Sequence, residues 1–150
     1  MDLLNGAYAN NVSGAGGSIT IVAIGYERPS AENDSDLNWL NCKVNVNIPP
    51  FEGEYDASFT TLDFLNFGRE IEMLSDLMIG QATFETDERA LNFRLTMKAR
   101  GEIVVEGESV IFMTARTTLK FCFYTDQSYL NNIKKDISAV LNQFPVRKHH

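Results

Sequence analysis

Residues 39–60, WLNCKVNVNIPPFEGEYDASFT, decide the fold. Leu40, Cys42, Val44, Val46 and Ile48 alternate with Asn41, Lys43, Asn45 and Asn47. A period of two sends the first set to a core and the second to water, which is the pattern of a half-buried strand. Pro49-Pro50 ends that strand, and Tyr55, Ala57 and Phe59 supply the next inward set, so the chain turns back as a hairpin. On the outward face the hairpin sets Glu54, Asp56 and Ser58 beside Lys43 and Asn45, and with Glu52 they make an acidic ridge. Thr60-x-x-Asp63 follows as a capping box, in which each side chain satisfies a free backbone N–H at a helix start.

Working outward, Phe64, Phe67, Ile71, Leu74 and Met78 form an apolar stripe at helical spacing, with Gly80 placed to end the helix. Gly68 inside this helix predicts a close approach to the sheet. Upstream, Ile19 to Tyr26 is apolar on both phases, a strand covered on both faces, and ERPSAENDSD is the polar loop between them. Downstream come four strand candidates: ATFET, the alternating segment Leu91–Met97, Ile103 to Glu106, and a long VIFMTARTTLKFCFYT that bends near Arg116. Turns are expected at DER, ARG and EGES. A second helix starts near Thr125 or Asp126, buries Leu130, Ile133, Ile137, Val140, Leu141 and Phe144, and stops at Pro145. The expected fold is α+β: a mainly antiparallel sheet of about six to seven strands in the order βββαββββα, with two helices packed on one face. Residues 1–17, with Asn10-Asn11 and GAGG, are expected as a flexible leader, 18–147 as a single domain and 148–150 as a tail.

Composition excludes several functions. The only two histidines, His149 and His150, sit at the extreme C-terminus like a tag remnant. Without others, Ser/His/Asp or Cys/His catalysis and histidine-ligated metals have no candidate residues. Cys42 and Cys122 are too few and too far apart for a disulfide framework or a CxxC site, and both are expected as buried thiols in strands. No run approaches the roughly 18 apolar residues of a membrane span, and the opening MDLLNGAYANN lacks the order of a signal peptide. A cytoplasmic location is the expectation. Residues 27–90 carry fourteen acidic and four basic residues, a balance of −10, while the remaining six acidic and nine basic residues give +3, for the net −7. Such acidity disfavours nucleic acid and allows a basic protein partner.

Candidate chemistry is thin. Asp34-Ser35-Asp36-Leu37-Asn38 opens like a calcium loop, but Trp39 stands where the turn needs glycine and Asn45 where a bidentate glutamate belongs. Asx-turn residues entering a strand account for the pattern, and no metal or other cofactor is expected. GAGG lacks the strand and spacing of a dinucleotide fingerprint. Trp39 shares the phase of Asn41 and Lys43, away from its own strand's core, which makes it a packing residue or a binding anchor. Alternation leaves the ridge carboxylates in water, without the apolar pocket that would raise one pKa for acid catalysis. Phe84, Phe93, Phe112, Phe121 and Phe123 are expected in the core, and Lys134-Lys135-Asp136 on the solvated side of the last helix. The partner-binding candidates are Asp34, Asp36, Trp39, Glu52, Glu54 and Asp56, and no catalytic residue is assigned.

Three stretches, DLNWLNCKVNVNI, FTTLDFLNFGREIEML with GQATF, and LKFCFYTDQSYLNNIKKDISAVLNQFPVR, resemble the WapI-type immunity proteins of contact-dependent bacterial toxin systems. The resemblance spans about Ser18 to Arg147 and lies in patterning, so it carries over no site residues. It implies an antitoxin that binds and blocks the toxic domain of a secreted effector, often a nuclease. A basic toxin domain is the partner this would suggest. Two alternatives remain open: a small-ligand carrier built around a real cavity, and a structural or regulatory subunit that self-associates through an exposed apolar patch.

Overall fold

The structure, a computed structural model, describes residues 8–28, 30, 33–86 and 88–148. The first seven residues of the expected leader and the two histidines lie outside them. The elements run β1 (Ala9–Gly14), β2 (Gly17–Tyr26), α1 (Asp34–Leu37), β3 (Trp39–Ile48), β4 (Phe51–Thr60), α2 (Thr61–Leu77), β5 (Gln81–Phe84), β6 (Leu91–Met97), β7 (Glu102–Phe112), β8 (Arg116–Asp126) and α3 (Leu130–Gln143). The α+β class holds, but the single sheet of six to seven strands does not. The strands form two antiparallel sheets of four, ordered β1-β2-β3-β4 and β5-β6-β7-β8. The division falls at α2, because the helix carries the chain away from β4 and β5 then pairs with β6. Ala15, in the turn between β1 and β2, exchanges backbone hydrogen bonds with Tyr124 of β8 (2.7 and 3.1 Å), which fastens the sheets together. Among the described residues no helix is long and apolar enough to cross a membrane.

The β3–β4 hairpin pairs Leu40 with Phe59, Val44 with Tyr55 and Ile48 with Phe51, as the alternation requires. At its end Thr60 and Asp63 close the expected capping box: the Thr60 hydroxyl accepts from the Asp63 N–H at 3.1 Å, and the Asp63 carboxylate accepts from the Thr60 N–H at 2.8 Å. Phe64, Phe67, Ile71 and Leu74 are buried, whereas Met78 is exposed and takes the left-handed conformation (φ 55°) that ends α2 two residues before Gly80. Gly68 does allow a close approach, but to the other helix: a Cβ there would lie 3.0 Å from Ile137 Cγ2 of α3. The helices therefore pack on each other. α2 also lies along β5, and α3 lies along β1.

The leader expectation fails for Ala9–Gly14, which pair residue by residue with β2 from Ala9↔Val22 to Gly14↔Gly17. Asn10 and Asn11 have poor strand propensity, but pairing with an apolar strand and burial of Val12 outweigh it. The EGES turn is also absent. Its residues continue β7, where a Cβ on Gly107 would overlap the Asn92 carbonyl of β6, so glycine marks close backbone approach there. The turn instead falls at Met113–Ala115, splitting the long strand into β7 and β8. Alternation along β7 and β8 puts Phe112 and Cys122 on the outward phase: both are exposed, while Phe84, Phe93, Phe121 and Phe123 are in the core and Cys42 is buried.

α3 starts at Leu130 after a short 3-10 turn whose N-cap is Asp126. The Ser128 hydroxyl and N–H both donate to Asp126 Oδ1, which holds that carboxyl below its usual range. On the next turns of α3, Asp136 is not fully solvated. Its carboxylate accepts from the Asn11 N–H (3.0 Å) on the outer edge of β1. Burial there pushes the Asp136 pKa up, and the Asn11 bond only partly opposes it. A raised native pKa means that burial of the charged form costs stability above that pKa, and the cost is lifted as pH falls through it. Asp136→Asn keeps an acceptor for Asn11, so the variant is expected to be more stable than the parent at neutral pH. Denaturant unfolding across pH should show the difference shrinking through the carboxylate range; a difference that grows toward acid would contradict the placement.

Candidate functional site

Strand register builds the acidic ridge from the hairpin outward. Lys43 sits opposite Asp56, Asn45 opposite Glu54 and Asn47 opposite Glu52, all on the solvent face of β3 and β4. Lys43 Nζ lies 3.8 Å from Glu54 Oε1 and 3.5 Å from Asp56 Oδ1. One ammonium between two carboxylates leaves the patch negative. The carboxylate side chains are 47% and 87% exposed, so these pairs contribute at most about 1 kcal/mol to the fold. Beyond them Ser58 Oγ donates to Glu27 Oε2 at 2.7 Å.

This ridge is one wall of a cleft of about 1020 Å³. Successive residues of β4, Glu54 to Ser58, line it, so both phases of the strand and hence its outer edge lie in the cleft. The opposite wall is the end of β7, Val110 to Phe112, and Met113 of the turn after it, with Glu88 and Ala90 between. β6 stops pairing with β7 at Leu91↔Ser109, yet β7 and β8 continue together through Val110↔Thr118, Ile111↔Thr117 and Phe112↔Arg116. The result, among the described residues, is a two-stranded arm with no third strand to support it. Its tip is apolar and open: Phe112 is 73% and Met113 88% exposed. Ile24, also on the lining, is exposed as well.

Tyr55 joins the two walls. Its side chain points inward from β4, and its hydroxyl donates to the Ala90 carbonyl at 2.8 Å and lies 3.0 Å from Ser109 Oγ of β7. Burial pushes the phenol up to about 12, with the Ser109 bond opposing. Below this bridge the sheets share one core; above it they part.

Of the sequence candidates, the structure brings Glu54 and Asp56 into the cleft and leaves the others off its lining. Glu52 is exposed nearer the hairpin turn. Asp36, on α1, accepts from Asn33 Nδ2 (3.0 Å) and pairs with Arg28 (3.3 Å), while its own N–H donates to Asn33 Oδ1 (2.9 Å). The side chain of Asp34 lies outside the described residues. Asn38, the fifth position of the calcium-like run, is buried and bound to the chain's end: it accepts from the Arg147 N–H at 2.7 Å and donates to the Arg147 carbonyl at 3.0 Å. Arg147 in turn stacks its guanidinium 3.6 Å above the Tyr26 ring. Trp39 is half-buried, opposite Thr60 at the start of β3. Among the described residues no group of three His, Cys, Asp or Glu side chains is placed to hold a metal.

Sequence reasoning missed Phe112, Met113, Glu88 and the Tyr55–Ser109 bridge. No local signal marked the arm: residues 109–125 contain no acid, but neither do β1, β2, β3, β5 or β6. Tyr55→Phe removes the hydroxyl bonded to Ser109, which is only 1% exposed, while the Ala90 carbonyl keeps the Val110 N–H. A loss of about 1–3 kcal/mol is expected in denaturant unfolding, because a buried partner left unpaired costs its desolvation. No loss would show that the walls are held by other contacts.

A protein-family model described as the Immunity protein WapI-like family matches residues 11–145. No curated protein and no solved structure matches the chain.

Proposed function

The chain belongs to the WapI-like immunity protein family, and on that premise we propose that it is a non-catalytic antitoxin that blocks the toxic domain of a contact-dependent bacterial effector. The match over residues 11–145 carries this reading. It covers β2 to β8 and both long helices, so it describes the fold as a whole and not one local motif. An immunity protein acts by occupying a surface, and needs a rigid scaffold with a complementary face. The cleft supplies such a face. Glu54 and Asp56 share the single ammonium of Lys43, Glu88 adds a third carboxylate, and Phe112 and Met113 offer apolar area across from them. Exposed aromatic and methionine side chains beside charge are what interface centres are made of. A toxin domain with a basic surface, such as one that handles nucleic acid, fits the acidic wall by charge.

The solvated carboxylates also favour binding over catalysis. General acid chemistry needs one carboxyl in an apolar pocket, and both Glu54 and Asp56 are open to water. A small-ligand carrier would need an enclosed cavity, whereas the core phenylalanines stack on one another with centroids 5.3–5.7 Å apart.

The test is co-expression with contact-dependent toxin domains, scored by growth, followed by binding kinetics for the domain that is neutralised. The double variant Glu54→Lys/Asp56→Lys should fold, associate about tenfold or more slowly at low salt, and lose much of its salt dependence. An unchanged association rate and salt slope would remove the acidic wall from the contact.

A further inference from the structure

The backbone of the cleft says how a partner is held. β4 is the last strand of its sheet, so among the described residues one edge has no partner strand. The N–H of Thr61 donates to the Asn38 carbonyl while that of Thr60 turns away to Asp63, so the Trp39↔Thr60 pair is of the kind that exchanges no hydrogen bonds. Antiparallel alternation along the unbroken register then turns the N–H and C=O groups of Glu54, Asp56 and Ser58 outward, into the cleft. The same alternation applies to β7. Val110 donates to Ala90 beyond the end of β6, and Met113 donates to Ala115 across the turn, which leaves the N–H and C=O of Phe112 facing the cleft from the other side. Two unpaired strand edges thus border one opening.

We propose that this opening takes an extended segment of the partner protein, with lysine or arginine at alternate positions, as an added strand along the free edge of β4. The proposal rests on the antitoxin reading for the partner's identity, but the edge itself does not. Glu54 and Asp56 stand two residues apart on one face, so a strand laid beside them meets carboxylates at every second residue. Tyr55 and Ala57 between them are half-buried and face the core side, where apolar residues of the added strand would lie. The occupant's pattern is therefore basic and apolar in alternation. Main-chain bonds hold such a strand, and the side-chain pattern selects it. The same acidity acts against a second copy of this chain, since pairing two β4 edges would bring like charges together.

The test uses three synthetic hexapeptides with blocked ends: alternating lysine–valine, alternating glutamate–valine, and lysine–valine with every backbone nitrogen methylated. Each is titrated into the full chain while backbone amide NMR shifts are followed. The lysine–valine peptide should move the amides of Glu54, Asp56, Ser58 and Phe112. The methylated peptide should bind about tenfold or more weakly, since it cannot donate to the edge. Glu54→Gln/Asp56→Gln, and independently Glu54→Lys/Asp56→Lys, should lower the affinity for the lysine–valine peptide. Equal binding by the glutamate peptide, no penalty for methylation, shifts confined to other surfaces, or no shift at about 1 mM peptide would each overturn the strand addition. Growth rescue separates this from the antitoxin reading. If the protein neutralises a toxin domain while the β4 amides stay still, strand addition falls and the antitoxin reading stands; if the edge takes the peptide and no toxin domain is neutralised, the reverse holds.

Discussion

Everything in this structure depends on one aromatic contact system at the junction of the sheets. Phe59 from β4, Phe64 and Phe67 from α2, Phe84 from β5 and Phe93 from β6 meet edge-on, tilted or stacked around Phe84. Four of the five are fully buried and Phe93 nearly so. Each ring removes on the order of 150–250 Å² from water, and the quadrupole geometry of the pairs adds specificity to that burial. α2 is the element that makes the system work. It leaves β4 through the capping box, presents two rings to the core, and returns the chain at β5, so the two sheets are built on either side of one helix.

The cleft follows from that constraint. Aromatic packing draws β4 toward β5 and β6 at the end near Phe59, and the Tyr55 hydroxyl ties it to Ala90 and Ser109 further along. Past Tyr55 the inward phase of β4 offers only Gly53, which has no side chain, and Phe51, which is exposed, so β4 cannot continue the core. β7 runs on past the end of β6 into the two-stranded arm. The walls diverge because the sequence stops supplying apolar pairs to hold them together.

Local signals were legible and non-local ones were not. The alternation of Leu40 to Ile48, the Thr60–Asp63 box and the stripes of α2 and α3 each depend on neighbours a few residues away, and each appears where periodicity placed it, except that Met78 caps α2 exposed and α3 starts later, at Leu130. β1 was hidden because Asn10, Asn11 and the adjoining glycines have no strand preference of their own; pairing with β2 and the Asp136 acceptor from α3 create it. The β7–β8 turn was hidden because Met113–Ala115 holds no glycine, proline or asparagine, while EGES looks like a turn and is held straight by β6 and β8. The register of the acidic ridge could be read from the hairpin, and Glu54 and Asp56 stand where it put them. The opposite wall could not, since Phe112 and Met113 meet the ridge only after two sheets have packed. Asn38 shows the same limit: its partner is Arg147, at the far end of the chain.

The central claim is that the opening between the β4 edge and the β7–β8 arm is where a partner is bound. Amide hydrogen exchange of the chain alone and in complex with a toxin domain it neutralises tests this most directly. The account predicts fast exchange of Glu54, Asp56, Ser58 and Phe112 in the free protein and strong protection of those four amides in the complex. Protection confined to the exposed faces of α2 and α3, with the β4 edge still exchanging freely, would contradict it.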